Sequence, residues 1–113
     1  MLSRDLILSS IDLAVEKIDV PAWGGSIFVR PFTGGERGLI EQESMDKDPA
    51  KVATFRARLV VRAICDEKGK RLFTDADIPA LQEKAASAID LVAKAVIKLN
   101  GMGADEVEAA GES

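Results

Sequence analysis

The chain has no histidine and a single cysteine, Cys65. The first absence removes the commonest general base, the commonest zinc ligand and every Ser-His or Cys-His nucleophile pair, so hydrolase and metalloenzyme chemistry has little to build on. The second excludes an internal disulfide. Aromatic residues make up only 4% of the chain. No apolar run approaches the length of a membrane-spanning helix or has the layout of a signal peptide, and a cytoplasmic location is expected by default.

Ligand signatures are equally sparse. Gly24-Gly25 and Gly34-Gly35 lack the Lys-Ser/Thr of a phosphate loop and the spacing of a dinucleotide fingerprint, so both pairs read as turn and cap residues. Asp75 and Asp77 lack the further oxygen ligands and central glycine of a calcium loop, and suit a helix N-terminus instead. Cys65, placed at the end of an expected helix, is not expected to be reactive. Accordingly no catalytic residue, cofactor or metal is expected, and enzyme activity is the least favoured class.

The 113 residues, 47% hydrophobic and 30% charged, suit one small soluble domain. Charge is uneven although the net value is −4. Residues 51–71 hold seven bases against two acids, whereas residues 101–113 hold Asp105, Glu106, Glu108 and Glu112 with no base. A domain over 1–103 with an acidic flexible tail over 104–113 follows from this composition.

Local patterns predict an α+β fold: a small N-terminal antiparallel hairpin, then three to four helices in a bundle. Ser3 can cap a short helix through Leu8, and a strand is expected from about Ile11 to Val20. Pro21 and Gly24-Gly25 make a turn, and Ser26–Phe32 alternates as a second strand whose Pro31 marks a sheet edge or strand end. Thr33 with Glu36 forms a capping box for a helix over Gly34–Met45, whose core-facing residues are chiefly Leu39 and Ile40. Pro49 opens a helix running to Cys65 with two apolar faces and a narrow polar stripe of Lys51, Arg58 and Arg62, while Arg56 is expected to snorkel.

Thr74 caps the next helix. Ile78, Leu81, Ala85, Ala88, Val92, Ala95 and Leu99 form a heptad-like seam, which either runs as one helix or breaks near Lys84–Ser87, with Asn100-Gly101 as the stop. Packing within one subunit accounts for the seam, and a contact between subunits is the sharper alternative. Trp23, Phe28, Lys51, Arg58, Arg62, Leu91 and Ile97 are the candidate partner or subunit interface residues. The basic stripe is also the one feature that could meet nucleic acid, but it lacks interleaved aromatics and the chain is acidic overall, so a solvated face or an acidic protein partner is preferred.

The order Val20-Pro21-Ala22-Trp23-Gly24-Gly25, Val29-Arg30, Thr33-Gly34-Gly35-Glu36-Arg37, Arg58-Leu59-Val60, Cys65-Asp66-Glu67, Leu72-Phe73-Thr74-Asp75-Ala76-Asp77 and Lys98-Leu99-Asn100-Gly101 resembles the tail assembly chaperones of long-tailed (siphovirus-type) phages and prophages. The resemblance spans roughly Leu2 to Gly103 and includes no catalytic signature. It implies a homo-oligomeric morphogenesis factor of the host cytoplasm, absent from the mature virion. Such a factor coats the tape measure protein, keeps it soluble, and helps recruit major tail tube protein through a longer, frameshifted form. No membrane or nucleic-acid partner is implied. A structural tail or head-tail connector subunit, or a small DNA-binding phage regulator, remains as the alternative.

Overall fold

A computed structural model describes residues 1–102 of the chain, and the expected acidic tail lies outside the described residues. The elements run α1 (Arg4–Ser9), β1 (Glu16–Val20), a 3-10 turn (Pro21–Trp23), β2 (Gly25–Val29), α2 (Gly34–Ser44), α3 (Pro49–Ala53), α4 (Phe55–Ala63), β3 (Ile64–Cys65), a 3-10 turn (Asp75–Asp77), α5 (Ile78–Leu81) and α6 (Ala86–Leu99). The fold is α+β as the pattern predicts, with a short third strand completing an antiparallel sheet of order β1-β2-β3.

Each strand is shorter than the alternation suggests, and the backbone explains why. β1 and β2 pair from Val20 opposite Gly25 to Glu16 opposite Val29. At the next residue the Arg30 N–H turns to the Ala63 carbonyl (3.0 Å), and Pro31 has no N–H to offer. Residues 11–15 therefore have no ladder to join. The hairpin closes through the 3-10 turn, where Gly24 takes φ +76° and its N–H donates to the Pro21 carbonyl (3.0 Å).

The capping box forms as expected. Thr33 Oγ1 accepts from the Glu36 N–H (3.1 Å), and Glu36 Oε1 accepts from the Thr33 N–H (3.0 Å). Of α2, only Ile40 is buried; Leu39 remains 44% exposed, correcting its expected core role.

The expected Pro49–Cys65 helix is interrupted twice. Thr54 leaves helical geometry at φ −101°, ψ 3°, and its hydroxyl donates back to the Ala50 and Lys51 carbonyls, a side-chain competition that weakens a helical ladder. The second departure follows Ala63, where Ile64 becomes extended and, with Cys65, pairs to Val29 and Phe28. The open edge of β2 thus takes these two residues from the helix. Cys65 is consequently a buried strand residue, where burial pushes its thiol pKa up.

α4 lies at the centre. Phe55, Ala57, Leu59, Val60, Val61, Arg62 and Ala63 are all buried, so α6, α5 and α2 must cover it from several sides. The stretch from Ile78 to Leu99 is two helices, parted where Ala85 turns extended (ψ 132°). Pro79 sits in the first turn of α5, where no donor is needed. α6 buries Ala88, Ile89, Val92, Ala93 and Val96 against α4 and β1, so this stripe is used within the subunit, while Ala85 of the expected seam is exposed. Gly101 ends α6 at φ +63°, and the Met102 N–H donates to the Ile97 carbonyl (3.0 Å). Those bonds give the left-handed cap expected at Asn100-Gly101.

Candidate partner-binding surface

Seven side chains alternate in sign across the junction of β2, α2, α4 and the loop after β3. Arg30 grips Glu36 with two hydrogen bonds (3.1 and 2.9 Å), and Arg71 lies 3.6 Å from the same carboxylate. Arg71 also reaches Asp75 (3.4 Å), which accepts from Arg62 (3.1 Å). Arg62 holds Glu43 through two bonds (2.6 and 3.0 Å), and Arg58 stands 4.0 Å from Glu43. Arg30 and Arg62 are buried at 4% and 2% exposure.

The electrostatics follow from this arrangement. Burial works to raise the Glu36 carboxyl pKa, but hydrogen bonds from Arg30 and the Thr33 N–H, with the charges of Arg30 and Arg71, hold it below the ordinary value. Asp75 is also held low, first by its bond from Arg62. Burial opposes the Arg62 charge, yet Glu43 and Asp75 outweigh it and raise its pKa further. Glu36, Asp75 and Arg62 are thus each held in the charged form, and the network ties elements together.

Of the polar stripe expected over Lys51, Arg58 and Arg62, Lys51 alone stays solvated, its side chain 49% exposed. Arg62 is inside, the Arg58 side chain is 16% exposed, and Lys51 pairs with Asp46 at 3.0 Å. Spacing on a helix could place these residues together, but the sequence around them does not reveal that Glu43 and Asp75, from distant elements, meet Arg58 and Arg62. Arg56 meets Asp90 at 3.0 Å with its side chain 53% exposed, so it reaches solvent while pairing.

The other candidates are scattered. Phe28 is half-buried opposite Lys17 and Cys65, on the sheet face turned away from Ile18 and Ile27. Ile97 packs against the core, and Leu91 is 41% exposed on α6. Trp23 is half-buried in the hairpin turn and lines a cavity of about 390 Å³ with Ala22, Phe73, Leu81 and Lys84.

An apolar surface that the candidate residues omit lies at the N-terminus. Ser3 caps α1 by accepting from the Leu6 N–H (3.2 Å), yet no residue of α1 is buried. Leu2, Leu6, Ile7, Leu8 and Ile11 are 54–98% exposed. A signal was present: Leu6, Ile7 and Leu8 are consecutive, and three consecutive residues cannot share one face of a helix. Among the described residues, no group of three or more His, Cys, Asp or Glu side chains is placed to hold a metal ion, and no helix is long and apolar enough to cross a membrane.

No family model matches the chain, and no curated protein matches it. Among solved structures it is similar to the tail assembly chaperone of bacteriophage HK97, with a TM-score of 0.61 and 17% identity, covering 88% of this chain and 94% of that one. The fold is therefore shared with that protein across nearly the whole of both chains.

Proposed function

We propose that the chain is a tail assembly chaperone of a long-tailed phage or prophage, acting in the host cytoplasm to hold the tape measure protein soluble while the tail is built. The observation that carries this is the shared fold over 88% of the chain. The residue motifs that resemble the same family support it independently. Exposed Leu39, Met45, Leu72 and Leu91 remain outside the core and available to a helical partner, for which an apolar helix face docking between side chains is a common mode. The chain self-associates while doing so, and a longer frameshifted form makes the contact with the tail tube protein.

The test is co-expression with the tape measure protein of the same phage or prophage. The expected result is that the tape measure protein stays in the supernatant and co-purifies with this chain, while purified virions lack it. Recovery of the chain from washed virions would instead assign it to the tail or connector structure. A DNA-binding regulator has little left to support it, because Arg58 and Arg62 already face Glu43.

A further inference from the structure

The most unusual surface of this molecule is a folded helix none of whose residues is buried. α1 is capped, carries Leu6, Ile7 and Leu8, and buries none of its residues, while Leu2 and Ile11 extend the apolar surface on either side. Isolated helices this short are unstable in water, and contiguous exposed apolar surface marks an interaction site. On the same chain, Trp23, Phe73, Leu81 and Ala22 form an apolar cavity of about 390 Å³ with Lys84 at its wall. An apolar cavity of about 150 Å³ accommodates a benzene ring, so this one has room for more than one aliphatic side chain.

The chain therefore exposes both an apolar projection and an apolar recess, and its geometry separates them. The arm leaves β1 at Glu16, with Val15 packed 3.7 Å from the position a Cβ would take on Gly69. The recess lies beyond Val20, at the opposite end of the same strand. Five strand residues cover roughly 16 Å, and the six-residue link Ser10–Val15 spans at most about 20 Å when fully extended. To fill its own recess the arm would have to reverse and run nearly straight back along β1. A neighbouring copy requires no reversal.

We propose that α1 of one copy docks its Leu6 and Ile7 side chains into the Trp23 cavity of the next. This rests on the reading that the chain self-associates, and supplies the contact. Because projection and recess are different surfaces, the contact is heterologous: every bound copy still offers one arm and one recess, so assembly continues until a ring closes or a chain extends. Trp23 is the only tryptophan, so its emission reports the recess without interference.

Two variants test the idea. Leu6→Asp with Ile7→Asp alters only exposed arm residues, and Ala22→Arg obstructs the recess from an exposed position. By sedimentation velocity over the micromolar range, the wild type should form oligomers with a blue shift of Trp23 emission that grows with concentration. Each variant alone should stay monomeric with its circular dichroism unchanged, and an equal mixture should give pairs and nothing larger. Should Ala22→Arg unfold, titrating wild type with a peptide spanning residues 1–12 and reading Trp23 emission replaces it, with a saturable blue shift expected. Oligomers of Ala22→Arg like those of wild type, or a peptide without effect, would overturn the arm-and-recess contact and leave self-association intact. Wild type that stays monomeric would overturn self-association itself. A blue shift seen only with phosphatidylglycerol vesicles would give the arm to a lipid surface and also overturn the proposal.

Discussion

At the residue scale, two polar side chains do much of the fastening. Asn100 Oδ1 accepts from the Phe32 N–H (2.7 Å), Asn100 Nδ2 donates to the Val96 carbonyl (2.9 Å), and the Asn100 carbonyl accepts from Arg37 (3.1 Å). Asn100→Ala should cost about 1–3 kcal/mol in urea unfolding, since it strands the buried Phe32 N–H, whereas the Val96 carbonyl keeps the bond from the Asn100 backbone N–H (3.0 Å). Arg62→Met should cost about 3 kcal/mol by leaving Glu43 without its main partner, and adding Glu43→Leu should recover part of that loss. Glu36 and Asp75 both have folded pKa values below their ordinary ones. Their stabilisation is therefore complete above the ordinary carboxylate range and is lost as pH falls through it to the lower folded values. Glu36→Gln should lower the neutral plateau and flatten that acid limb. The capping box and the Asn100-Gly101 stop could be read locally because each is made within a few residues. The Arg62 partners could not, because Glu43 and Asp75 lie on other elements, brought near only by packing.

At the element scale, the chain shows where local preference gives way. β3 takes Ile64 and Cys65 from the predicted helix because β2 offers them backbone partners, and no periodicity in the Pro49–Cys65 stretch encodes an edge supplied from elsewhere. Thr54 interrupts the same stretch by a contact within its own turn, so that break was in principle visible in the sequence. The turn glycines separate strain from space. Gly24 has φ +76° and nothing within 4 Å of an added Cβ, whereas Gly25 is equally open without a positive φ. Gly24→Ala should cost about 1 kcal/mol and Gly25→Ala should be neutral or slightly stabilising, by thermal melting. For α1 the expectation is different again: Leu6→Asp with Ile7→Asp should leave monomer stability within about 0.5 kcal/mol, because neither side chain is buried.

At the scale of the whole molecule, the architecture is a central α4 covered by helices, with α6 packed between it and β1 and polar ties at the edges. The α+β class and the hairpin-then-helices order were legible from the sequence; β3, the arm and the recess were not, since burial and pairing depend on which neighbours the whole fold supplies. The Asn100 amide has a further consequence, for the order of events during synthesis. It joins Phe32 across 68 residues, and α6 is what covers α4 and β1. A ribosome that has released only the first eighty residues therefore holds a chain whose hairpin and central helix still lack the cover of α6. The domain can close only when residue 100 has left the exit tunnel. Amide exchange at Phe32 should be slow in the finished protein and fast in Asn100→Ala, and in chains stalled before residue 100 emerges the same amide should be open to solvent.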